Sequence, residues 1–88
     1  MRASTKSNAA AATRTYDYIQ DPGHGWLKVP LGDLPTTFRP TQCSFLDSRF
    51  AYLEEDCDFG AFARLVPRFD VREVTVGNFG RNKRNFPG

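Results

Sequence analysis

The side chains able to do chemistry fall into four groups. A lone histidine, His24, sits between two glycines in Asp21-Pro22-Gly23-His24-Gly25. A dense acidic run follows at Glu54, Glu55, Asp56 and Asp58, with Cys57 inside it and a second cysteine at Cys43. Phe79, Arg81, Lys83, Arg84 and Phe86 interleave rings with cations near the C-terminus. Arg2, Lys6 and Arg14 mark an acid-free start.

Each group has a chemical reading and a plainer one. His24 as a general base needs an orienting partner and a substrate pocket, and Asp21, three residues away, is the candidate orienter. The plainer reading, a turn residue packing beside Trp26, is the one expected. Acidic runs can hold hard cations through carboxylate oxygens. Along a strand, however, Glu54 and Glu55 face opposite sides, Asp56 suits a helix cap, and the EF-hand spacing of acids and glycine is absent. A polar strand end running into a capped helix is expected, with no metal and no cofactor. Two cysteines are too few for a disulfide scaffold, and with one histidine they cannot complete a four-ligand zinc site. They are expected as small buried apolar residues rather than as a bridge. Cys57 at a helix start would have a lowered pKa, but His24 is the one base available to it. No Gly-rich phosphate loop and no G-x-S-x-G elbow is present. No catalytic residue is therefore expected.

Positioning these groups requires a small α+β domain. Eight Phe and a 14% aromatic share among 88 residues supply large side chains for a single compact core. Tyr16–Ile19 and Trp26–Val29 flank the Pro-Gly turn and predict a β-hairpin. Residues 42–46 and 50–54 predict a second one around Asp47-Ser48-Arg49. Leu31–Pro35 predicts one helical turn. Phe59, Phe62, Ala63 and Val66 fall at i, i+3, i+4 and i+7, so a helix is predicted over 57–66, capped by Asp56 and ended by Pro67. Val71–Val76 alternates as a last strand. The expected fold is a small antiparallel sheet of four to five strands with one main short helix. Its expected organisation is a disordered basic tail over 1–13, the α+β domain over 14–78, and a basic aromatic tail over 79–88.

Charge is segregated along the chain. Residues 15–70 carry five bases against nine acids, while residues 71–88 carry four bases against one acid. Basic ends beside an acidic body suggest polyanion recruitment through the ends: Arg2, Lys6, Arg14, Arg81, Lys83 and Arg84. Rings next to cations are also how single-stranded nucleic acid is held. The competing reading packs Phe79 and Phe86 onto the sheet and leaves the bases in water. The acidic body offers a different contact, in which His24, Trp26, Glu54 and Glu55 meet a partner protein and an acidic surface occupies a basic groove. Met1–Arg14 has no apolar signal-peptide core, and no apolar run reaches the roughly 20 residues of a membrane helix. A reducing cytosol is the expected compartment, with a short transit peptide as the rival.

Two clusters add an origin. Asp21-Pro22-Gly23-His24-Gly25-Trp26-Leu27-Lys28-Val29-Pro30 and Tyr52-Leu53-Glu54-Glu55-Asp56-Cys57-Asp58 resemble motifs of a family of small uncharacterised proteins of tailed bacteriophages and prophages. The basic end Arg81–Pro87 is similar to that family's end, and residues 31–42 depart from its pattern. The resemblance implies a phage-encoded accessory protein in the host cytoplasm or the virion, and it implies no activity. The expected function is stoichiometric binding to a host or phage macromolecule, nucleic acid through the tails being the leading contact. The alternatives are inhibition of a host polymerase or defence complex through the acidic body, a virion role, and a metal-dependent enzyme.

Overall fold

In the structure, a computed structural model, residues 14–77, 79 and 84–87 are described. The expected disorder of residues 1–13 lies outside them, as do Arg2, Lys6, Arg81 and Lys83. The first hairpin joins β1 (Arg14–Gln20) to β2 (Gly25–Pro30). A 3₁₀ turn, Leu31–Asp33, follows. The second hairpin joins β3 (Phe45–Leu46) to β4 (Phe50–Glu54). A wide π-type helical turn, Glu55–Phe59, runs into α1 (Gly60–Leu65). Then come β5 (Phe69–Thr75) and β6 (Arg84–Asn85).

The fold is α+β with one short helix, and the sheet departs from expectation in two ways. Among the described residues it has six strands in the order β5-β1-β2-β4-β3-β6, and it is mixed, because β5 runs parallel to β1. The parallel pair follows from the connection. β4 is antiparallel to β2, and β2 to β1, so β4 already runs in the direction of β1. The helical segment then carries the chain back to the starting end, and a strand entered that way is parallel. The sixth strand is two residues long, too short to show alternation. It pairs with β3, and Phe86 N–H donates to the Ser44 carbonyl at 3.0 Å.

Alternation along the strands sorts the apolar residues onto two faces. On one face Tyr16, Tyr18, Leu27, Val29, Ala51 and Leu53 meet Phe62 of α1, with Phe38, Phe59, Val66, Phe69 and Phe86 around them. Phe62 is fully buried against the rings of Tyr16, Phe38 and Phe69. The predicted stripe is thus the face that packs on the sheet. On the opposite face Ile19, Trp26 and Tyr52 gather Phe45, Phe50, Val74, Val76 and Phe79. Phe79 lies 4.8 Å from the Trp26 ring and 5.0 Å from that of Tyr52, centroid to centroid. Phe79 and Phe86 therefore pack the chain end back onto the sheet, one against each face.

The helix begins earlier than the pattern suggested, and its cap is a different residue. Glu54, not Asp56, is the N-cap: its Oε1 accepts the N–H of Asp56 at 2.8 Å and of Cys57 at 3.1 Å. The wide first turn places its free N–H groups over the last strand residue instead of over Asp56.

Candidate functional site

The ends of β2 and β4 and the start of the helical segment converge on a cleft of about 400 Å³, lined by His24, Trp26, Cys43, Phe45, Glu54, Asp56 and Cys57. Gly25 opens β2 because the Tyr18 phenol lies where a Cβ would stand. That close approach, rather than a positive φ, requires the glycine, and it delivers His24 to the cleft rim. Asp21 shapes the turn. Its Oδ1 accepts the N–H of Gly23 and of His24, each at 2.9 Å. The His24 N–H bond leads the contacts that hold the Asp21 carboxyl below its usual range.

Asp21 is therefore not the orienting partner of the imidazole. His24 Nδ1 lies 3.1 Å from Glu54 Oε2, with its ring 5.8 Å from Trp26. The His24 side chain is 60% exposed. Glu54 is only 6% exposed and is engaged on both oxygens, by backbone N–H groups and by His24. Trp26 is 4% exposed, and its indole N–H has no acceptor among the described residues. Glu55 turns to the helix side of the sheet and accepts the Tyr18 hydroxyl at 2.8 Å. Oxygens of Glu54, Glu55 and Asp56 come within 4.8 Å of one another. Those of Glu54 and one of Glu55 already accept hydrogen bonds, and nothing else at the cluster points to a cation.

The cysteines overturn the sequence expectation. Cys43 and Cys57 are exposed and joined in a disulfide, with Cα atoms 6.4 Å apart. The residues read as a strand over 42–46 instead turn at Thr41–Ser44, and this turn swings Cys43 onto the helical turn that carries Cys57. Asp58 holds the arrangement. It is 2% exposed, and its Oδ2 accepts the Thr41 N–H at 2.9 Å, the Thr41 hydroxyl at 3.0 Å and the Ser44 hydroxyl. Ser44 Oγ in turn accepts the N–H of Glu54 at 3.0 Å. Thr41 and Ser44 were missed by sequence reasoning, and Asp58 was read only as a member of the acidic run. The available signal was a Thr-x-x-Ser pair upstream of an aspartate, which is too common to single out.

Of the proposed nucleic-acid residues, two are described. Arg84 is exposed on edge strand β6 and makes no ion pair among the described residues. Arg14 opens β1, four strands or about 19 Å away across the sheet. It is paired with Asp33 at 3.3 Å in a second cleft, where Arg72 is paired with Asp17 at 2.8 Å. The structure thus brings His24, Trp26 and Glu54 together, places Glu55 beside them on the other face, and keeps Arg14 apart from Arg84.

No family model, curated protein or solved structure matches this chain. No helix among the described residues is long and apolar enough to cross a membrane.

Proposed function

We propose that the protein is a non-enzymatic accessory module, phage-encoded as its resemblance implies, that acts by stoichiometric binding. The cleft receives a basic segment of a partner protein. The observation that carries this reading is the meeting of His24, Trp26 and Glu54 in one concavity with an aromatic wall and an acidic rim. A lysine or arginine lays its aliphatic stem on apolar surface and keeps its charge among carboxylates. Phe45 supplies such a surface, and Asp56, exposed at the rim, supplies the charge. Complementary charge gives such a contact its specificity and its rate of encounter.

Nucleic-acid binding through the basic ends is the second reading, favoured by Arg84, which is exposed and has no ion pair among the described residues. The two are separated by titrating the full-length protein at low ionic strength with an oligolysine peptide and with single-stranded DNA. The emission of Trp26, the sole tryptophan, reports on the cleft. Peptide is expected to shift that emission, and Asp56→Asn to weaken binding several-fold. DNA that bound with a log–log salt slope of up to about −4, set by six basic residues at roughly −0.7 each, would instead support the second reading. If neither polymer binds, both readings fail.

A further inference from the structure

We infer that the Cys43–Cys57 disulfide is an exchange site, opened by a partner thiol carried next to a cationic group and leaving that partner joined to the protein by a mixed disulfide. The preference for a cation rests on the proposed reading of the cleft, whereas the exchange itself does not.

Three observations carry the inference. The first is access. A thiolate must reach a sulfur for exchange to occur, and both cysteines are exposed and line the cleft beside Trp26 and Phe45. The second is redundancy. The disulfide closes a loop between residues 14 apart, and the buried Ser44–Asp58 hydrogen bond closes an almost identical one, also between residues 14 apart. Thr41 adds two more bonds to the same carboxylate. In the folded protein these hydrogen bonds hold the same two segments together, so the bridge can open while the segments stay in place. The third is charge. Glu54, Glu55, Asp56 and Asp58 surround Cys57 in sequence, and Glu54 and Asp56 line the cleft with it. An attacking thiolate is an anion and is repelled there unless it travels with a positive group.

The step balances as a simple exchange. The incoming thiolate forms a new S–S bond to one of the two cysteines, and the Cys43–Cys57 bond breaks. The other cysteine leaves as a thiolate and takes up, through solvent, the proton the incoming thiol gave up. The partner sulfur is oxidised to the disulfide level, and one protein sulfur is reduced to the thiol level.

The test uses the oxidised full-length protein and three two-carbon thiols at equal thiolate concentration: 2-aminoethanethiol, 2-mercaptoethanol and 2-mercaptoethanesulfonate. Intact mass after acid quench counts adducts, and circular dichroism follows the fold. A single adduct on a folded protein is expected, fastest with the amine and slowest with the sulfonate. A spread of about tenfold should contract with added salt, as screening requires, and in Asp56→Asn. Adduct formation only in denaturant, unfolding on opening, or two thiols that diamide cannot join would each overturn the exchange site. Equal rates for the three thiols would overturn the cationic class. Oligolysine binding, measured on a variant with Cys43→Ser and Cys57→Ser, is independent of exchange. Retained binding alongside failed exchange would sink this inference alone.

Discussion

The two faces of the sheet are made by the same strands and differ in what covers them. On the helix side, Leu27, Val29, Ala51 and Leu53 are wholly buried beneath Phe62. On the other side no helix of the described residues sits over Trp26 and Tyr52. Phe79 lies across them, and the surface then falls away into the cleft with its buried carboxylate, its indole N–H and its exposed disulfide. Alternate residues of one strand thus serve opposite ends. Leu53 is core, and its neighbour Glu54 caps the helix and binds His24. The comparison teaches that a small domain can concentrate its stability on one face and leave polar, reactive groups on the other.

The contrast is broken most directly through the rings. Phe62→Ala should cost about 3–5 kcal/mol in denaturant melts, as for a buried aromatic with many neighbours. Phe79→Ala, at a half-buried position, should cost roughly half as much. Equal losses would show that the open face is as firmly packed as the helix face. Next in size is Asp58→Ala, which strands the Thr41 and Ser44 donors and should cost about 2–3 kcal/mol. In a double-mutant cycle it should couple to Cys43→Ser plus Cys57→Ser, because the two devices close nearly the same loop. Additive losses would separate them.

The cap supplies a sharper and smaller contrast. Glu54→Ala removes the acceptor of two helix N–H groups and should cost about 1–2 kcal/mol, while Asp56→Ala should stay within about 0.5 kcal/mol. A reversal of that order in urea melts would return the cap to Asp56.

The last contrast is silent at neutral pH. Burial, with the hydrogen bond to Asp33, pushes Tyr16 up to about 12, and burial, with the bond to Glu55, does the same for Tyr18. Tyr52, on the open face, is raised as well, by burial and then by its bond to Asp47. The folded state holds these protons more tightly than the unfolded chain. Stability is therefore intact below the free tyrosine value of about 10 and is lost as pH climbs through about 12. Absorbance at the phenolate band should rise late and together with unfolding. Ionisation near 10 without loss of structure would show that these hydroxyls are not held.

Much of the scaffold was legible because it is local. The first hairpin, the 3₁₀ turn and the Phe59/Phe62/Ala63/Val66 stripe stand where alternation, turn residues and helical spacing put them, while the second hairpin keeps its place with its first strand cut to Phe45–Leu46. The site was legible only in pieces. His24, Trp26 and Glu54 stood out as residue types, but their meeting depends on the register that sets Trp26 opposite Glu54. The cap was misassigned because any acid near a helix start looks suitable, and the width of the first turn decides which one reaches the N–H groups.

By itself the sequence determined what each short stretch must do, because side-chain period and turn chemistry act over a few residues. It determined the α+β class, the amphipathic helix and most of the strands on which that helix packs. Tertiary structure alone decided the parallel β1–β5 pair, the return of the chain end as a sixth strand and the bond between Cys43 and Cys57. Each of these joins residues far apart in the chain. Such pairings are fixed by which buried surfaces and hydrogen bonds are satisfied together, and no local pattern encodes that joint condition.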